Sequence, residues 1–178
     1  MNFPSNKQPS LKPQDLLVTI KLAIHPQREF TYAELASELS MSISEVHAAV
    51  KRAEVSRLIS KSGNSFVANR SALLEFLLHG VQYTFPAIRG TLTRGMPTGF
   101  ASPSLQGHFL TTDELPPVWP DSEGEARGTS LQPIYRSVPN ACRTDNILYE
   151  VLTLVDVLRS GSAREREFAG AKIMELLK

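Results

Sequence analysis

Ser44, His47 and Lys51 stand three and four residues apart. On a helix they share one face and present a hydroxyl, an imidazole and an ammonium group together. None of these is a paired carboxylate or an activated nucleophile of the kind bond-breaking chemistry uses. They are hydrogen-bonding and cationic groups suited to meeting base edges and phosphate oxygens. Thr31 and Ser42 lie just upstream at candidate helix starts, Arg52 follows Lys51, and Lys61 and Asn64 sit in a turn-forming KSGN run. Base-edge contacts are therefore expected from Ser44, His47 and Lys51. Phosphate contacts are expected from Thr31, Ser42, Arg52, Lys61 and Asn64.

Two short helices have to position these groups. TYAE at Thr31–Glu34 and SISE at Ser42–Glu45 each set a hydroxyl three residues ahead of Glu, so each can cap a helix reciprocally. The spacing predicts a helix over Tyr32–Leu39, a tight turn at Ser40-Met41-Ser42 and a second helix over 43–56. On that second helix Val46, Ala49, Val50 and Ala53 fall on the inward side, while Ser44, His47, Ala48 and Lys51 fall on the outward side. A strand starting at Arg57-Leu58-Ile59, turn chemistry at 61–64 and a return through Ser65-Phe66-Val67 predict a basic hairpin, or wing, over 57–67. Upstream, Pro13 at a first turn and Leu16, Leu17, Ile20, Ala23 and Ile24 on one face predict a helix over Lys12–His25, ended by Pro26.

The run LAxxLxMSxxxVxxAVKR…RLI at Leu35–Ile59 resembles the DNA-binding half of MarR-type and related winged helix-turn-helix transcriptional regulators. The likeness covers about residues 13–70. It implies a recognition helix that enters the major groove and a wing that touches the flanking backbone. Two positions depart from the pattern. Ala48 stands where such regulators often carry Arg or Thr, and Ser56-Arg57 where glycine usually precedes the strand.

Elsewhere the chain divides by composition. Residues 1–11 read as a disordered tail, 12–80 as the winged-helix domain, and 81–140 as a Pro/Gly-rich loop and short-strand segment. Within the domain, SALLEFLLHGV predicts a helix stopped by Gly80. In the Pro/Gly-rich segment the steps Arg94-Gly95 and Arg127-Gly128 read as generic turn punctuation. Residues 141–178 predict a helical hairpin, capped at Asp145 or Thr144 and broken at Ser160-Gly161-Ser162, with Ile147, Leu148, Val151, Leu152, Val155 and Leu158 as a wide apolar stripe. The expected fold class is mainly α with a small β wing, α+β overall.

At 178 residues and 42% hydrophobic content the chain can bury a core. Its net charge is only +1, so nucleic-acid binding must come from local charge placement. A single cysteine, Cys142, excludes an internal disulfide framework and suits a reducing compartment. No signal-like or membrane-length apolar run stands out, and a cytoplasmic location is expected. His25, His47, His79 and His108 lack metal-ligand spacing, no Gly-rich phosphate loop occurs, and neither an enzyme, a metal nor a cofactor is expected. His79, His108 and Cys142 would carry chemistry only if the fold gathered them. The acidic clusters Asp113-Glu114 and Asp121-Glu123-Glu125 read as solvated loops.

The expected function is a sequence-specific DNA-binding transcriptional regulator, a repressor, with double-stranded DNA as partner. A homodimer is expected, glued by the apolar C-terminal hairpin or the first helix. The alternative is an antitoxin or adaptor whose C-terminal half binds a partner toxin or enzyme.

Overall fold

The computed structural model describes residues 10–63, 65–109 and 115–178. Asn64, Asp113-Glu114 and most of the expected tail lie outside the described residues. α1 (Pro13–Ile24) starts with proline in its first turn, and the Asp15 carboxylate accepts from the Lys12 N–H at 2.8 Å. Every residue from Asp15 to Ile24 is buried. A helix buried on all sides needs neighbours on all sides. These are α3 (Ile43–Val55), β2 (Ser65–Ala68), α4 (Arg70–His79) and α7 (Asn146–Ser160).

α2 (Tyr32–Glu38) and α3 begin where expected, because both capping boxes form. The Glu34 N–H donates to Thr31 Oγ1 at 3.2 Å and Thr31 N–H returns to the Glu34 carboxylate at 2.8 Å; Ser42 and Glu45 repeat the pattern at 3.2 and 2.9 Å. Ser40, with φ 51°, makes the turn between them. The hairpin opens later than expected. Arg57 takes the left-handed conformation, φ 60°, so β1 spans Ile59–Ser62 and pairs antiparallel with β2 from Ile59↔Ala68 to Ser62↔Ser65.

Gly80 does not end α4 through a left-handed turn. Its φ is −118°, and the chain adds a further turn, α5 (Val81–Thr84). A Cβ there would lie 2.9 Å from the Phe76 ring, so the position favours glycine for ring packing.

The fold is mixed α/β, with 51% helix and 17% strand. Its strand content exceeds a wing because the Pro/Gly-rich segment builds a second sheet from β3 (Arg89–Pro97), β4 (Pro117–Pro120) and β5 (Ala126–Leu131). β3 runs antiparallel to both others, β4 and β5 are parallel, and each strand pairs with the other two. The two Arg-Gly steps are not turns: they are strand residues on facing strands, Arg94↔Arg127 with Thr93↔Gly128. Each glycine lets backbone meet backbone. A Cβ on Gly95 would stand 2.0 Å from the Trp119 carbonyl oxygen, and one on Gly128 would stand 1.9 Å from that of Pro116.

α6 (Val138–Cys142), α7 and α8 (Ala163–Leu176) complete the chain. Asp145 caps α7 by accepting from the Leu148 N–H at 2.9 Å. α7 is buried continuously from Val151 to Leu158, so the stripe expected as dimer glue is covered within the chain, Ile147 excepted at 45% exposure. α1 is covered in the same way. One apolar cluster runs from Leu16 to Leu177 and crosses the expected boundaries at 80 and 140. Asp156, buried on α7, accepts from Trp119 Nε1 at 2.6 Å and Thr98 Oγ1 at 2.7 Å and pairs with Arg159 at 2.6 Å, tying the second sheet to the helices.

Candidate nucleic-acid interface

The inward and outward sides of α3 divide as its periodicity predicts. Val46, Ala49, Val50 and Ala53 are buried, whereas Ser44, His47 and Lys51 are exposed in one row and Ala48 is half-buried among them. Val55 continues the row at 61% exposure, so its C-terminal end is apolar. The His47 ring lies 5.1 Å from Tyr32, and Tyr32 lies 4.8 Å from Phe66. This stack holds α3 against the start of α2 and against the hairpin, whose Lys61 is exposed.

The other candidates fare differently. The hydroxyls of Thr31 and Ser42 serve their own helices: each accepts the capping N–H and donates to the boxed glutamate, at 2.8 and 2.7 Å. An approaching phosphate would meet the Glu34 or Glu45 carboxylate beside them. Arg52, expected as a phosphate contact, is instead committed inward. Its Nε lies 3.1 and 2.9 Å from the two Asp15 carboxylate oxygens, and a terminal nitrogen lies 2.6 Å from Oδ1. Asp15 is fully buried, so its charge requires this fork.

The fold also delivers groups that sequence reasoning missed. Tyr135, on the segment after β5, donates its hydroxyl to Glu45 at 2.6 Å, and Arg136 reaches the same oxygen at 3.1 Å. The Tyr135 hydroxyl, the Ser42 N–H and hydroxyl, and the Arg136 charge hold the Glu45 carboxyl down at about 2. Burial, then Glu45, pushes the Tyr135 hydroxyl up. Arg136 keeps 79% of its side chain exposed, adding a cation on the Glu45 flank of α3. Ninety residues separate Glu45 from Tyr135, and no local pattern announces the contact.

A half-buried ionic cluster ties α1 to α2 and α7. Lys21 of α1 bridges Glu38 of α2 at 2.7 Å and Asp145 at the start of α7 at 2.6 Å, and His25 Nε2 lies 2.9 Å from Asp145. Burial raises the Asp145 carboxyl; Lys21, His25 and the Leu148 N–H outweigh it and bring the group to about 2.

No family model, curated protein or solved structure matches this chain. The site is therefore characterised by its own chemistry. His79 and Cys142 line separate clefts, and His108 packs on Phe168 at 5.0 Å, so these three are not gathered. Cys142 is buried, and burial pushes its thiol up. Among the described residues no His, Cys, Asp and Glu group has the arrangement to hold a metal ion, and no helix is long and apolar enough to cross a membrane.

Proposed function

We propose that this chain is a sequence-specific DNA-binding transcriptional regulator, a cytoplasmic repressor, in which α1–α3 and the β1–β2 hairpin act as a winged helix-turn-helix. The observation that carries the reading is the single exposed row Ser44, His47 and Lys51 on a doubly capped α3, followed by a hairpin with Lys61 exposed. The part of this outer face from Ser44 to Lys51 is polar and cationic and fits a major groove. Lys61 lies where a wing would meet phosphate. Arg52 leaves the proposed contact set, because releasing it would strand a buried carboxylate.

A homodimer on a two-fold operator remains part of the proposal. Its interface cannot be the α7 stripe or α1, which are already covered. The adaptor alternative, which places a partner toxin or enzyme on the C-terminal half, would likewise need a surface other than the covered part of this stripe.

Selection from a random duplex library, followed by fluorescence anisotropy across salt concentrations, tests the reading. The expected result is an enriched motif. Lys51→Ala should relax preference at one position, whereas Lys61→Ala should weaken binding to all sequences and lower the salt slope by about 0.9. Recovery of no motif, or indifference to both changes, overturns it.

A further inference from the structure

The facing Arg-Gly steps of β3 and β5 place two guanidinium groups side by side. Arg94 and Arg127 are directly opposed in the antiparallel ladder, so their Cβ atoms stand about 5 Å apart on one face. Like charges at that spacing oppose strand pairing. Both side chains are exposed and line one cleft of about 500 Å³, shared with Thr93, Glu125 and Ala126. Among the described residues no ion pair involves either guanidinium. The glycine after each arginine is packed against the third strand, Gly95 on the Trp119 backbone of β4 and Gly128 on the backbone of Pro116 just before it. β4 thus occupies the face opposite the arginines and leaves their own face open.

We propose that Arg94 and Arg127 together bind a phosphate group. Two guanidinium forks converging on one cleft can each give a bidentate hydrogen-bond pair to an oxyanion, which removes the repulsion between them. Glu125, in the same cleft, disfavours a fully anionic surface and suits a ligand with one phosphate and a donor beside it. The site is independent of how α3 is used.

The test is titration of the full-length chain with inorganic phosphate, followed by NMR of the arginine Nε–H groups. Saturable shifts at Arg94 and Arg127, but not at exposed Arg164, are expected. Arg94→Gln or Arg127→Gln should weaken binding at least tenfold with a melting temperature that does not fall, and Arg127→Lys should fall between. Non-saturating shifts that spread equally to Arg164 overturn the proposal, as does full binding by the double Gln variant. Duplex DNA supplies the second arm. If the double variant also loses DNA affinity and salt slope, the phosphate is a phosphodiester. If DNA binding is unchanged while the phosphate response is lost, the ligand is a small phosphorylated compound.

Discussion

Asp15 on α1 and Arg52 on α3 form a forked ion pair in which the carboxylate is fully buried and the guanidinium is 20% exposed. The pair joins the central helix to the outward-facing one. Its partner cannot be removed without leaving an uncompensated charge in the core. Arg52→Ala is expected to destabilise the chain by about 3–5 kcal/mol. Arg52→Lys should recover only part of this, because an ammonium cannot reproduce the fork. Urea unfolding measures both, and a change below about 1 kcal/mol for the Ala variant would contradict the structural role assigned to the pair.

Asp145 gives a pH dependence of defined sign. Its folded carboxyl lies at about 2, below the ordinary value of about 3.9. Its ionised form thus contributes stability that is fully present above pH 4 and is lost as pH falls towards 2. The contribution is on the order of 2 kcal/mol. Asn can still cap α7, so Asp145→Asn isolates the charge. The stability gap between the two proteins should shrink between pH 4 and pH 2; a gap that stays constant would show that the carboxylate is not responsible.

Gly128→Ala should be among the least tolerated changes in the second sheet. Its Cβ would stand 1.9 Å from the carbonyl oxygen of Pro116, the residue before β4, which side-chain rearrangement cannot relieve, and a loss on the order of 3 kcal/mol or more follows. Gly90→Ala is the control, since its nearest neighbour is the Ser130 Cβ at 3.3 Å. Equal unfolding midpoints for the two variants would refute the close approach of the strands.

Arg57→Gly should stabilise. Left-handed backbone costs an ordinary L-residue about 1–2 kcal/mol, and glycine returns part of that gain as unfolded-state freedom. A net rise of up to about 1 kcal/mol is expected, visible as a melting temperature several degrees higher in a thermal scan. Arg57→Val should lower it.

Helix ends were legible because their causes lie within three residues. The boxes at Thr31 and Ser42, the cap at Asp145 or Thr144, which the structure gives to Asp145, and the break at Gly161 all needed only local hydrogen bonding. The exposed row of α3 followed from periodicity alone. What escaped depended on distant neighbours. An apolar stripe such as Leu148–Leu158 shows that a helix must be covered but not by what, and here the chain itself covers it. Arg52 occupied a helix flank suited to phosphate, yet its partner lies on another helix 37 residues away. Gly95 and Gly128 read as turns because glycine needed for close strand packing is indistinguishable in sequence from glycine needed for a positive φ.

The enclosure of α1 has a consequence for assembly. It precedes the other described helices in the sequence, yet one of the surfaces that shelter it is α7, which ends at Ser160. While the intervening chain is being made, Leu16, Leu17 and Ile20 lack part of their final environment. Lys21 of α1 and Asp145 at the start of α7 are 124 residues apart, so closing this contact carries a loop-closure cost that local helix contacts do not. A fragment ending near residue 80 would keep α3, β2 and α4 around α1 but lose the α7 cover over it. The unit proposed to read DNA is thus braced through α1 by a helix more than a hundred residues downstream, and a chain cut before α7 is expected to hold it less firmly.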